Sequence, residues 1–545
     1  AGRLLLSSEN FSGIRAPALE AWKMQLQNAD VVGAAGETRP LVLDGRRLYL
    51  GRYWHFEQEL ASSLLRMARR PPPGVDSGLL RQGLARMFPA THEMDWQQLA
   101  AAMALMQSLV IVSGGPGTGK THTVAAILAL FMQQALGAGQ QLRVALATPT
   151  GKAAARLSES IRNAKSVLDA PEPVINAIPT EAQTLHRLLG VRPGRVTPRH
   201  NPQNPLHLDV LVVDEASMID LPLMNRVLAA LPKRARLIVL GDRDQLASVE
   251  AGSVFADLCG GDSEPAYSAG FTRQLRQLGS WQLPGPVENP GALADNIVLL
   301  RKSYRFGQRS GIGQLARAVN SGDVQAVQSV LSAGYPDISW RMPPAETRTR
   351  DIGKYAAGAF ASVMQASSPE QALTALEAFR ILCAVRKGPA GVEQVNLVAQ
   401  QALADMGHIQ LAGEFYAGRP LLVTRNDYQL GLFNGDIGIL WPDADGLLRA
   451  WFRMPDNSIK SLAPARLPDI ETAYALTVHK SQGSEFARVL MLLPETDSPV
   501  LTRDLVYTGI TRAAKNVEIW DSNAMLLRAI QRRVERTSGL LDKLS

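Results

Sequence analysis

The stretch Gly114-Gly115-Pro116-Gly117-Thr118-Gly119-Lys120-Thr121 constrains this 545-residue chain more than any other. It fits G-x-x-x-x-G-K-[ST]. An apolar run, Leu109–Val112, precedes it, and the helical THTVAAILALFMQQAL follows. Glycines let a backbone wrap a phosphate with its N–H groups pointing inward. Lys120 brings a positive charge to β- and γ-phosphates, and the Thr121 hydroxyl suits Mg²⁺. The helix that starts here aims its positive dipole end at the same anion.

A loop of this kind needs a strand before it and a helix after it, and the surrounding texture repeats that order. LRVALATPT, LDVLVVDEAS and ARLIVLGDRDQ are apolar runs with polar endings, separated by helical stretches. The alternation predicts an α/β chain with parallel sheets flanked by helices, and ligands at the carboxyl ends of the strands. Asp214-Glu215 closes one such run. Asp214 is placed to hold Mg²⁺ through water, and Glu215 to orient or deprotonate an attacking water. Together with the loop, this pair implies a nucleoside triphosphatase working with Mg²⁺. Gln245, at the tip of a neighbouring strand, is a candidate γ-phosphate sensor. Arg305 and Arg512, far downstream, are candidates for the positive charge that hydrolysis needs at the γ-phosphate. Two lobes would then close on one nucleotide.

Composition narrows the classes. The net charge is +7, from 57 Lys+Arg against 50 Asp+Glu. That suits nucleic acid held in a confined groove rather than a coat along it. A hydrophobic share of 46% with 20% charged residues excludes a largely disordered chain. The two cysteines, Cys259 and Cys383, exclude a disulfide framework and imply a reducing, cytoplasmic setting. The absence of a long apolar run or of a signal-peptide pattern at the start predicts no membrane association.

Three regions stand apart. Residues 1–90 read as helical, broken at RRPPPG, and carry no recognisable chemistry. Residues 191–207 read as a hairpin or loop insertion rich in Pro, Arg and Asn, and 260–292 as a mobile Gly/Pro/Ser-rich segment. Residues 417–470 hold short alternating runs between Asn-Gly, Asp-Gly and Pro-Asp turns, the pattern of a small β-barrel.

In order, the words GGPGTGKT, TPTGKAAARL, TLHRLLG, VVDEASM, LGDRDQL, KSYRFG, TVHKSQGSEF and VYTGITRA resemble superfamily 1 helicases of the 5′→3′ branch, and most closely the RecD family, the alpha-subunit family of bacterial exonuclease V (RecBCD). The resemblance runs from about Trp96 to the C-terminus. It implies two RecA-like P-loop motor domains, at 91–298 and 299–545, behind a partner-contact domain at 1–90. It turns the 191–207 insertion into a strand-separating pin and the 417–470 insertion into an SH3-like barrel. By position, Gln97 resembles the glutamine that reads adenine, Tyr304 the aromatic that packs on the base, and Glu485 an acid near the ribose. Thr148, Pro149, Thr150, Lys152, His186, Thr477, His479 and Ser481 resemble contacts to single-stranded DNA. Backbone contacts of that kind carry no sequence information. His122 departs from the small residue usual there, and no role is assigned to it.

The activity so implied is ATP-dependent 5′→3′ translocation on single-stranded or duplex-end DNA, within a heterotrimer with RecB-like and RecC-like subunits, in double-strand break repair and recombination in the bacterial cytoplasm. A standalone helicase and a non-motor ATP-dependent assembly switch are the alternatives. The N-terminal region shows no helix-hairpin-helix repeats, which favours a subunit. No D…E-x-K cluster suggests a nuclease site.

Overall fold

The computed structural model describes residues 18–544 apart from 72–73, 90–92, 193, 196, 248–253, 262–263, 289, 308, 412, 428, 455–456 and 535–537. Two parallel sheets organise it. The first runs Ala182–Thr184, Val144–Thr148, Val210–Val213, Arg236–Gly241, Leu109–Gly114, Ile297–Leu300 in spatial order, with every neighbouring pair parallel. The second runs Ile338–Arg341, Ala513–Trp520, Phe486–Leu492, Phe379–Cys383, Ala475–Thr477, again all parallel.

Side chains of a strand alternate between faces, and the first sheet divides its core accordingly. Val110, Val112, Val210, Val212, Ile238 and Leu240 enter one hydrophobic cluster. Leu109, Ile111, Leu211, Val213, Leu237 and Val239 enter the other. Both faces are covered, so the central strands carry runs of consecutive apolar residues instead of alternating.

The N-terminal region is not purely helical. Val32–Ala34, Leu41–Asp44 and Arg47–Leu50 form a small sheet. Asp44-Gly45, with Gly45 at φ 62°, makes the tight turn between the last two strands. Asp-Gly between apolar runs is a hairpin signal in its own right, hidden by the stronger helical periodicity around it. Two helices follow, and they belong to the first lobe's core. Gly51–Ala68 sends Leu60, Ala61 and Leu64 into one cluster, and Ser77–Met87 sends Leu80, Leu84 and Met87 into the other. Residues 1–17 lie outside the described residues.

The strand Ile297–Leu300 pairs with Leu109–Gly114, so it spans the expected boundary at 298/299. The chain changes lobes after Leu300. Between 191 and 207 the described residues hold no strand, only the turn closed by the Asn201–Asn204 bridge. The 260–292 segment is more ordered than its composition suggests. It contains the helix Ala269–Leu278, and Tyr267, Phe271, Leu275 and Trp281 are buried in the first lobe. The alternating runs of the downstream insertion do form strands. Pro420–Val423, Ile437–Pro442, Leu448–Arg453, Ile459–Leu462 and Ile470–Thr472 make one antiparallel sheet around Leu421, Leu440, Ala450 and Phe452. Among the described residues no helix is long and apolar enough to cross a membrane.

The C-terminal helix Leu540–Leu544 returns to the first lobe. Leu540 and Leu544 join its core, and the buried Glu57 carboxylate accepts from Lys543 Nζ at 2.9 Å, Ser538 Oγ at 3.0 Å and the Gly539 amide at 3.2 Å.

Candidate functional site

The phosphate loop leaves the strand Leu109–Gly114 and enters the helix Lys120–Gly137. Gly117 and Gly119 lie at φ 75° and 77°, a region that side chains disfavour. The Lys120 ammonium folds over the loop, donating to the carbonyls of Gly114 at 2.6 Å and Gly115 at 3.2 Å. Gln97, buried at the start of the helix Trp96–Met106, donates Nε2 to the Thr118 carbonyl at 2.8 Å. The Tyr304 amide donates to the Gly117 carbonyl at 2.7 Å, while its ring stays 61% exposed beside the loop.

Val210–Val213 delivers Asp214 and Glu215 to the same place. Glu215 is held at φ 55°, a strained conformation for a residue with a side chain, and its amide donates to Asp214 Oδ1 at 2.8 Å. Burial, with the charge of Glu215, pushes the Asp214 carboxyl up to about 6 against the pull of Lys120. The neighbouring strand Arg236–Gly241 delivers Asp242, which is buried. It accepts from Gln245 Nε2 at 3.0 Å and from Tyr507 Oη, on the other lobe, at 3.0 Å. Burial raises Asp242 as well, and Lys120 opposes it. The lobes are further joined where the Leu246 amide donates to Thr508 Oγ1 at 2.9 Å and Gln482 Nε2 to the Leu246 carbonyl at 2.7 Å.

Between the lobes lies a cavity of about 260 Å³. Lys120, Thr121, Asp214, Glu215 and Gln245 line it from the first lobe, Glu485 and Arg512 from the second, and Arg305 from the segment that connects them. The sequence expectation for these residues thus meets in one space. Arg512 is buried and held by its own lobe, through Nε to the Thr508 carbonyl at 3.3 Å and Nη1 to the Ser484 carbonyl at 3.2 Å. Arg305 donates Nη2 to Glu485 Oε2 at 2.5 Å.

Sequence reasoning missed Arg156. It lines the cavity and donates Nη2 to the same Glu485 oxygen at 2.8 Å and Nη1 to the Gly483 carbonyl at 3.1 Å. Its signal was its place in TPTGKAAARL, four residues after Lys152 on the helix Gly151–Val167. That spacing puts both cations on one helix face. Tyr507 was missed as well. Its hydroxyl sits so near Gly115 that a β-carbon there would come within 2.8 Å of it.

The residues expected to touch a nucleic-acid strand are placed less uniformly. Thr148 ends one strand of the first sheet, with Pro149–Lys152 just after it, and Thr477 ends one strand of the second, with Val478–Ser481 just after it. Two side chains in these groups are turned inward. Thr148 is fully buried, its hydroxyl donating to the Thr150 carbonyl at 2.8 Å. Ser481 is fully buried, donating to the Val478 carbonyl at 2.7 Å. Thr150 caps the helix Gly151–Val167. Pro149 is half-buried and His186 exposed. Lys152 lines a second cavity between the lobes, of about 380 Å³, with Asp436, Glu377 and the fully buried Arg380, and burial pushes its ammonium down to about 8. Thr477 Oγ1 accepts from the Lys480 amide at 3.2 Å, and burial lowers the His479 imidazole. His122 packs edge-on to Phe88 at 6.2 Å between ring centroids.

Three family models match the chain: an AAA domain over residues 97–251, a UvrD-like helicase C-terminal domain over 472–519, and the N-terminal domain of RecBCD enzyme subunit RecD over 6–49. The RecBCD enzyme subunit RecD of Mycolicibacterium smegmatis is 39% identical over 97% of this chain and 87% of its own length. Its counterpart in Mycobacterium tuberculosis is 42% identical over 91% of this chain and 80% of its own. The ATP-dependent RecD2 DNA helicase of Deinococcus radiodurans is 30% identical over 91% of this chain and 58% of its own.

Proposed function

The chain belongs to the RecD family of RecBCD enzyme subunits, and from that premise we propose that it is an ATP-driven motor moving 5′→3′ on single-stranded DNA, as the helicase subunit of a RecBCD-type helicase-nuclease in double-strand break repair and recombination. The observation that carries this reading is the split cavity. Lys120, Asp214 and Glu215 face Arg512 and Glu485 across it, with Arg305 on the connecting segment.

The residues act in distinct ways. Lys120 exchanges the carbonyls of Gly114 and Gly115 for β- and γ-phosphate oxygens. Glu215 orients a water and takes its proton, with Gln245 lining the same cavity. Arg305 and Arg512 neutralise charge on the γ-phosphate as it leaves. Gln97 reads the adenine edge, Tyr304 packs on the base, and Glu485 lies toward the ribose. The hydroxyl of Thr121 and the carboxylate of Asp214 line one cavity and are the hard oxygen donors that Mg²⁺ takes. A Mg²⁺ ion held by these two residues would offset phosphate charge. Loss of the γ-phosphate removes the anion that the two lobes share, so the lobes part.

DNA runs over the strand-end groups. Lys152, Thr150, His186, Thr477 and His479 are nearest to it, with backbone rather than side-chain contacts at Thr148 and Ser481. The five-stranded antiparallel insertion is SH3-like and closes over the strand, and the 191–207 segment separates the duplex. Residues up to about 50 contact RecB-like and RecC-like partners, the first motor domain takes in about 51–300 together with the C-terminal helix Leu540–Leu544, the second takes in about 301–532, and the complex works in the bacterial cytoplasm.

Lys120→Gln tests the reading. DNA-stimulated ATP turnover should vanish while circular dichroism stays native. Full turnover in the variant would sink it. A strand-displacement assay separates a motor from an assembly switch, which would bind DNA and displace nothing.

A further inference from the structure

Glu485 Oε2 accepts from two guanidiniums at once, Arg156 Nη2 at 2.8 Å and Arg305 Nη2 at 2.5 Å. The first comes from a helix of the first lobe, the second from the connecting segment, and the acid from the second lobe. Four cations (Lys120, Arg156, Arg305 and Arg512) and three carboxylates line this cavity. Burial disfavours the charge on Arg305, Glu485 favours it, and Arg156 and Arg512 add to the burial effect. Arg305 therefore rests on a carboxylate that has a second cation available. A half-exposed ion pair adds little to stability, so this arrangement matters for which partner Arg305 holds.

We propose that Arg156 is a positioning residue for ATP turnover, which keeps Glu485 paired when Arg305 leaves it for the γ-phosphate. The inference rests on the nucleotide reading given above. An Arg305 whose only carboxylate would be left unpaired leaves reluctantly, because a carboxylate stripped of its charged donors in a confined site loses strong hydrogen bonds. With Arg156 in place, the acid keeps one of its two guanidiniums throughout, and the exchange of Arg305 from carboxylate to phosphate costs less. The second bond of Arg156, to the Gly483 carbonyl at 3.1 Å, holds the 483–485 segment in position while this happens. Arg156 also stands one helical turn beyond Lys152, on the helix that opens just after Thr148–Thr150. A shift of that helix would alter the grip on Glu485 directly.

The test is steady-state ATP turnover of the full chain with single-stranded DNA, for Arg156→Ala, Arg156→Lys, Glu485→Gln and the double variant Arg156→Ala/Glu485→Gln, beside Lys120→Gln. The expected result is a kcat for Arg156→Ala lower by about tenfold to a hundredfold, with KM for ATP changed much less. Arg156→Lys should recover part of the loss. The double variant should turn over faster than Arg156→Ala, because a neutral amide at 485 no longer holds Arg305. A double variant as slow as the single one, a change confined to KM, or an Arg156→Ala enzyme as fast as the native chain would each overturn the proposal. If Lys120→Gln is inactive and Arg156→Ala is not impaired, only this inference fails. If Lys120→Gln turns over ATP fully, the nucleotide reading itself fails.

Discussion

Tyr507 of the second lobe donates its hydroxyl to Asp242 of the first at 3.0 Å, in a space closed off from solvent. Gln245 donates to the same oxygen, Oδ2, at 3.0 Å. The buried carboxylate thus reads the position of a side chain on each lobe.

Tyr507→Phe should therefore weaken closure of the lobes rather than folding. Removing one neutral donor from a buried acid costs about 1–3 kcal/mol. The expected outcome is a severalfold fall in kcat for ATP, with a wider distance between lobes by fluorescence transfer in the nucleotide-bound state. Gly115→Ala, which drives a methyl toward the same hydroxyl, should act in the same direction. Native kcat in both variants would show that the contact is incidental.

Glu57 and Lys543 make a second separable prediction. Lys543→Met leaves the buried Glu57 carboxylate with uncharged donors alone, Ser538, Gly539 and the Tyr49 hydroxyl, and breaking one side of a buried pair costs about 3 kcal/mol. The C-terminal helix should then become protease-sensitive under conditions where the native chain is resistant. The double variant Glu57→Leu/Lys543→Leu should lose less, because no charge is left behind. Losses that simply add would contradict this account.

Lys152 predicts a pH effect on stability. Its ammonium titrates near 8, below the ordinary 10.5. The unfolded chain holds that proton more tightly, so the penalty is fully present below about pH 8 and is relieved as pH rises toward 10.5. Lys152→Met should melt higher than the native chain at about pH 7, with the gap closing as pH rises. Thermal melts across that range decide it. A lower Tm at about pH 7 would mean that the attraction of Asp436 outweighs burial.

Both cysteines should be silent in the folded chain. Cys259 is buried and its thiol is pushed up to about 12, and Cys383 is buried and raised further. The thiolate is the reactive form. A thiol reagent at about pH 8 should therefore modify neither until denaturant is added. Rapid labelling of the native chain would refute this.

The cavity between the lobes was largely legible in the sequence because its parts are local. The phosphate loop, Asp214-Glu215 and Gln245 each sit at the end of an apolar strand, and parallel sheets gather such ends on one edge. The insertion strands were legible from their turns. Arg156 was not, since its partner Glu485 is 329 positions away and helix periodicity says nothing about what a face meets. The burial of Thr148 and Ser481 was not legible, because a place at or near a strand's end does not tell which way a side chain turns. The small N-terminal sheet was hidden by the helices around it, although Asp44-Gly45 carried its signal.

The return of the C-terminal helix to the first lobe has a mechanical meaning. The backbone crosses between lobes once between Leu300 and Gly311, and again between Arg532, bound to Asp497 of the second lobe, and Ser538, bound to Glu57 of the first. Two covalent connections restrain how far and in which directions the lobes can part more than one would, and the second of them is anchored by the Glu57 carboxylate.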